Sequence, residues 1–160
     1  MNIIIDMRVI TKNYSKSIDD EVCMETYHWL KDNVPWVRGV PSKEGPSRLA
    51  YPVPFDSVVC LMIDPLLCAA MKICKMNNPI INAIYLNYYR NGIDWTPNHI
   101  HKNTTQIIIS LGTDRTLLVG KKEYNLSNGD VTIFGSSVHG VPKDTRITEG
   151  RISIALFLSR

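Results

Sequence analysis

The feature that most limits what this chain can become is the texture of its second half, where short apolar and β-branched runs alternate with turn residues. The runs are Ile81 to Tyr89, Gln106 to Leu111, Thr116 to Val119, Val131 to Phe134 and Ile152 to Leu158, and each reads as a strand. Asn91-Gly92, Gly112, Gly120, Asn128-Gly129 and Glu149-Gly150 fall outside or between them as turn signals. Many short strands joined by tight turns bury their apolar faces by stacking into a sandwich or jelly roll.

The first half has a helical texture. Ser17 is the expected cap of a helix that opens on Asp19, Asp20 and Glu21, carries Val22, Cys23, Thr26, Trp29 and Leu30 at helical spacing, and ends before Pro35. Leu66 to Lys75 reads as a second helix, entered through Pro65 and stopped by Asn77, Asn78 and Pro79. Between the two helices, Pro35, Gly39, Pro41, Gly45, Pro46, Pro52 and Pro54 predict an irregular loop or hairpin, a type of segment often used as a lid. Helices first and strands afterwards predict an α+β fold, a jelly roll with N-terminal helices packed against it.

The 160 residues fit one domain, 1–160, with a lid over about 35–55 and the jelly-roll core over about 80–160. With 44% hydrophobic and 21% charged residues the composition is globular, and the net charge of +3 is a mild bias compatible with a polyanionic partner. Ile3, Ile4 and Ile5 are followed at once by Asp6, too short a run for a signal peptide, and no apolar stretch approaches a membrane span. A monomer in the cytoplasm or nucleus, with no membrane partner, is expected. Cys23, Cys60, Cys68 and Cys74 form no C-x-x-C pair and are expected to be reduced core cysteines.

Three histidines, His99, His101 and His139, stand in the β-rich half. Residues two apart on a strand share a face, so an extended His99-x-His101 presents two imidazoles to one point, and Pro97 favours that extension. With His139 they make three protein ligands, the number that leaves open positions on a catalytic metal. Asn87 and Tyr89 alternate onto one face of their strand as an amide and a phenol able to bind a dicarboxylate. Arg151 offers a planar fork to a carboxylate.

The order and spacing of several motifs resemble the AlkB family of Fe(II)- and 2-oxoglutarate-dependent oxygenases, over roughly residues 20 to 160. Asn87-Tyr88-Tyr89-Arg90-Asn91-Gly92-Ile93-Asp94 followed by His99 is similar to the family's N-x-Y-x-x-G-x-D-x-x-x-x-H opening. Ser110-Leu111-Gly112-Thr113-Asp114-Arg115 resembles its S-L-G-x-x-R turn, and Gly129-Asp130-Val131-Thr132-Ile133-Phe134-Gly135 its G-D-V strand leading to the second iron histidine, His139. Val34-Pro35-Trp36 and Pro46-Ser47-Arg48-Leu49 look like the start of its nucleotide-recognition lid.

The resemblance implies a double-stranded β-helix in which His99, His101 and His139 bind Fe(II) as the catalytic centre. It assigns Arg151, Asn87 and Tyr89 to 2-oxoglutarate. The implied reaction is oxidative removal of an N-methyl group from a DNA or RNA base, with succinate, carbon dioxide and formaldehyde as products. Such a base must be single-stranded or flipped out. Trp36, Tyr51 and Trp95 are then the candidate stacking residues, and Arg38, Lys43, Arg48 and Lys102 the candidate phosphate contacts.

Two positions depart from the family pattern. His101 stands where the family has an aspartate ligand, and Phe157 where it has a second arginine close to that aspartate; Arg160 lies too far along to replace it. The losses offset each other electrically, because an anion and a nearby cation disappear together. Two other readings accommodate the departures: a catalytically silent nucleic-acid-binding or interaction protein of the same fold, and a cupin-like three-histidine metalloenzyme. The cupin reading lacks that family's glutamate, Gln106 being the nearest polar residue.

Overall fold

Asp19, not Ser17, caps the first helix: its carboxylate accepts a hydrogen bond from the Val22 amide at 3.0 Å, and α1 runs Asp20–Asn33. Ser17 instead donates its hydroxyl to the Tyr14 carbonyl and its amide to the Gly129 carbonyl, which ties the chain to a distant turn. The structure, a computed structural model, describes residues 9–38 and 47–159. The run Ile3 to Ile5, the lid positions Gly39, Pro41, Lys43, Gly45 and Pro46, and Arg160 lie outside the described residues.

The second helix, α2, begins earlier than its proline suggests. It runs Val58–Ile73, with the Ser57 hydroxyl accepting from the Cys60 amide at 3.1 Å, so Pro65 lies inside it. The buried stripe Val59, Ile63, Leu66, Leu67 and Ala70 explains the extension, since it continues across the proline. Pro65 and Leu61, whose carbonyl loses its helical partner to the proline ring, are both exposed, where water can satisfy the carbonyl.

The strands are β1 (Lys12–Tyr14), β2 (Val37–Arg38), β3 (Leu49–Pro52), β4 (Ile80–Tyr89), β5 (Thr96–His99), β6 (Thr105–Gly112), β7 (Arg115–Val119), β8 (Lys122–Leu126), β9 (Val131–Phe134), β10 (His139–Val141) and β11 (Arg151–Ser159). Each of the five expected strands is present to within one residue at either end. The proline-rich region supplies a short antiparallel pair, with Val37 opposite Ala50 and Arg38 opposite Leu49. The larger sheet has the order β1-β9-β6-β11-β4-β3-β2 and the smaller β5-β10-β7-β8. This is the α+β double-stranded β-helix, two antiparallel sheets with the helices on one side.

Alternation along the central strands divides the larger sheet into two unlike faces. Ile107, Ile109 and Leu111, with Ile152, Ile154, Leu156 and Leu158, form one core with Cys23 and Leu30 of α1 and Ile63, Leu66 and Ala70 of α2. The other face meets the smaller sheet, where Tyr89, Ile108, Phe134 and Ala155 pack on Leu117, Val119, Leu126 and Val141. That inner face also carries polar residues: Ser153 lies opposite both Asn87 and Ser110, and Arg151 opposite Tyr89.

All four cysteines are free thiols. Cys23 is buried and Cys60 and Cys74 pack against the core, but Cys68 is exposed on the solvent side of α2, so the expectation of a core residue fails there. Among the described residues, no helix is long and apolar enough to cross a membrane.

Backbone as well as side-chain bonds hold the turn after β4. The Gly92 amide donates to the Ile147 carbonyl and the Asp144 amide to the Gly92 carbonyl, each at 2.9 Å, and a Cβ on Gly92 would collide with the Asp144 carbonyl oxygen. Gly92→Ala is therefore expected to destabilise the protein by about 2–3 kcal/mol in chemical denaturation, through a clash that backbone can relieve only by moving.

Candidate metal centre

His99 closes β5, and β10 opens on His139 directly opposite it, so one antiparallel pair brings together histidines forty residues apart. His101 lies just beyond the end of β5, not on it, yet its ring still turns to the same point. The ligand atoms of the three residues all lie within 4.8 Å of one another. The His99 and His139 ring centroids are 4.2 Å apart, and His101 is 4.8 Å from His99 and 5.4 Å from His139.

Two of the rings are oriented by the same local device. Nδ1 of His99 pairs with the Pro97 carbonyl and Nδ1 of His139 with the Ser137 carbonyl, both at 2.9 Å and both two residues back along the chain. A carbonyl only accepts, so each Nδ1 carries the proton and each Nε2 keeps a bare lone pair, the arrangement a metal requires. Burial pushes the His139 imidazolium down to about 4, assisted by His99 and His101 and opposed by the Ser137 carbonyl. Burial and His99 also lower His101. His139 and His101 are thus held towards the neutral imidazole, which is the ligating form.

Phe157 stands beside the triad. Its ring meets His101 edge to face at 5.0 Å and Tyr85 at 5.5 Å. The two departures from the family pattern are therefore neighbours in space. Gln106, which is 2% exposed, approaches from the other side, its Nε2 3.4 Å from Nε2 of His139.

The same face carries buried cations. Arg151 is 1% exposed and donates Nη2 to the Ser110 hydroxyl at 3.0 Å, while its buried Nε finds no partner. Its guanidinium and that of Arg115 lie 5.4 Å and 5.1 Å from the centre of the Tyr89 ring. Burial, with Arg115 nearby, pushes Arg151 down to about 10, although Tyr89 and Asp130 act the other way. No carboxylate forms a salt bridge with Arg151 among the described residues. A buried cation with an orphaned donor fits an anionic ligand, and the distal carboxylate of a dicarboxylate has the right charge and shape.

The other expected site residues divide between the two faces. The Tyr89 hydroxyl pairs with the Thr96 hydroxyl at 2.7 Å, and Asn87 accepts from Nε of Arg48 at 2.8 Å, so these residues border the inner space. Trp36 and Tyr51 do not: Trp36 packs on Tyr88 at 5.2 Å and both join the helix-side core, on the far side of the sheet from the histidines. Trp95 lines a cleft with Pro97, Asn98, Leu118, Pro142 and Lys143, the Lys143 ammonium 4.9 Å above its ring. Lys102 is exposed next to His101, and Arg38 is exposed on β2.

Sequence reasoning gave Arg115 no role beyond its motif. It is 2% exposed and donates to the carbonyls of Asn91, Asp94 and Pro142, locking the loop that leads into β5 against the loop that follows β10. Ser110 and Ser153 were also missed. The available signal was polar residues recurring every second position on otherwise apolar central strands.

No family model matches the chain, and no curated protein matches it in sequence. Solved structures do match in fold. A prolyl hydroxylase from Trichoplax adhaerens, in complex with a hypoxia inducible factor oxygen degradation domain peptide, superposes with a TM-score of 0.68 at 12% identity, over 93% of this chain and 83% of that one. The non-heme alpha ketoglutarate dependent epimerase SnoN from nogalamycin biosynthesis gives 0.70 at 13% identity, over 93% and 78%. A prolyl-4-hydroxylase from Pseudomonas putida gives 0.59 at 13% identity, over 94% and 92%. The fold is that of the Fe(II)/2-oxoglutarate-dependent oxygenases, with a histidine triad able to hold a metal at its centre.

The lowered His139 has a measurable consequence. Its folded value, about 4, lies below the ordinary 6.5, so between these the unfolded chain binds more protons than the folded one. Stability of the metal-free protein is expected to fall as pH drops from 6.5 towards 4, by at most about 1.4 kcal/mol per pH unit from this group. Urea titrations across that range check the slope, which should flatten in His139→Gln.

Proposed function

We propose that this protein is an Fe(II)- and 2-oxoglutarate-dependent oxygenase acting on N-methylated bases of DNA or RNA. The observation that carries the oxygenase reading is the convergence of three imidazoles within a fold whose inner face also holds Arg151, a buried arginine with an orphaned Nε and no salt bridge among the described residues. His99, His101 and His139 would hold the iron, and Arg151, with Tyr89 and Asn87, the 2-oxoglutarate. With dioxygen as the oxidant, the bound iron and 2-oxoglutarate would supply the chemistry that hydroxylates a methyl carbon on nitrogen, one oxygen atom going to that carbon and the other to the succinate formed with carbon dioxide; the C–N bond then breaks to release formaldehyde and leave N–H.

The chain's own residues orient and enclose the reactants. The Pro97 and Ser137 carbonyls aim the imidazoles of His99 and His139. Arg115 holds the loops on either side of the centre together. Leu117, Val119, Phe134 and Val141 exclude water from the floor, which strengthens the pull of Arg151 on a carboxylate.

The nucleic-acid part of the proposal rests on the AlkB-like motifs, on the excess of basic residues and on the exposed Lys102 and Lys143 in the segments that follow His101 and His139. Trp95 is the aromatic residue best suited to a base, because Trp36 and Tyr51 serve the core. A peptide substrate is the second reading, favoured by the likeness in fold to two prolyl hydroxylases.

Anaerobic addition of Fe(II) and 2-oxoglutarate is expected to produce a visible metal-to-ligand charge-transfer band that His101→Ala loses. A band absent from the wild type but gained in His101→Asp would instead mark a centre that has lost this chemistry and point to a silent binder. Arg151→Lys keeps the charge but not the fork, and is expected to weaken 2-oxoglutarate binding at least about ten-fold with metal binding unchanged, as read by titrating the same band. Formaldehyde release from methylated oligonucleotides but not from proline-containing peptides separates the two substrate readings.

A further inference from the structure

We propose that Gln106 is a fourth protein donor to the metal centre, its carboxamide turning from His139 to the cation when metal binds. The proposal rests on the reading of the histidine triad as a metal centre.

Gln106 lies on β6 opposite Phe134 on one side and Phe157 on the other, and these two aromatic rings pack against His139 and His101. Its side chain is thereby confined to the floor of the triad. Among the described residues its one hydrogen bond is the contact with Nε2 of His139 at 3.4 Å, at the long end of the range for a nitrogen donor. A buried carboxamide has two donors and an acceptor oxygen, and a single long bond leaves most of that capacity unused.

The bond also engages the wrong atom for a loaded site. With Nδ1 of His139 donating to the Ser137 carbonyl, Nε2 is the lone pair the cation takes. The Gln106 N–H groups would then face a positive charge. A half-turn of the carboxamide exchanges nitrogen for oxygen with almost no change of shape and presents an acceptor to the cation.

The resulting donor set, three imidazoles and one carboxamide, is neutral. It leaves the full charge of a divalent ion to be met by an anionic co-ligand, which matches a centre that has neither a carboxylate at position 101 nor a cation at position 157. Oxygen from a neutral amide is a weak enough ligand to yield its position to that anion.

The test is titration of the full chain with Co(II), near neutral pH and without co-substrate, by calorimetry and by the visible spectrum of the bound ion. Wild type should bind and His139→Ala should not. Gln106→Leu, similar in volume but without a donor atom, should bind about ten-fold more weakly and with a more intense visible band, the mark of a lower coordination number. Gln106→Glu, which adds a charge at the same place, should bind at least about ten-fold more tightly. Unchanged affinity and spectrum in Gln106→Leu would overturn the role of Gln106 while leaving the triad intact. Should the leucine variant fail to fold, a glutamate variant no tighter than wild type does the same. Absence of Co(II) binding by the wild type would remove the metal centre and, with it, this proposal.

Discussion

The centre of this molecule depends on one short pairing, β5 against β10. It places His99 opposite His139, and a register irregularity between His139 and Val141 lets the chain turn there. Because both strands belong to the smaller sheet, both histidines project towards the inner face of the larger one, where Arg151, Ser110, Gln106 and Phe157 wait. If the pairing slipped by one residue, the imidazoles would exchange faces and the site would vanish. Arg115 guards against that slip, since its donors hold the flanking loops together through three backbone carbonyls.

Charge is distributed in the inner space with a definite logic. Burial lowers His139 and His101, and position 101 brings no carboxylate that would favour their charged forms. Further along the same face two buried guanidinium groups, those of Arg115 and Arg151, lie close to the Tyr89 ring, and each has a buried Nε without a partner. Buried charge without an ion-pair partner is costly, and Arg151, whose donors are not taken up by backbone carbonyls as those of Arg115 are, is the group on this face best suited to an anion. A cation-seeking triad and an anion-seeking arginine together suit one ligand that meets metal and arginine at once.

Much of this was legible in the residues. The five strands and the shared face of Asn87 and Tyr89 followed from periodicity, whereas the grouping of His139 with His99 and His101 came from the resemblance to the AlkB family. Other features were not. Ser17 looked like a cap but had a better use against the Gly129 carbonyl, and Pro65 looked like a helix start although the buried stripe ran straight past it. Trp36 and Tyr51 read as candidates for stacking on a base, but their positions in the β2–β3 region put them on the helix side of the sheet. Pattern within one segment does not say which face of a neighbouring sheet that segment will meet.

By itself the sequence determined the local alternations: which residues are strand, which turn, and which polar groups share a face with one another. Those follow from backbone geometry and need no partner. Only the tertiary structure decided what those faces meet: that His139 lies across from His99, that Phe157 touches His101, that Gln106 points at the triad, and that Arg151 is sealed from water with no salt bridge among the described residues. The physical reason is that burial and electrostatic environment belong to pairs of elements distant in the chain, and so arise only when the two sheets close on each other.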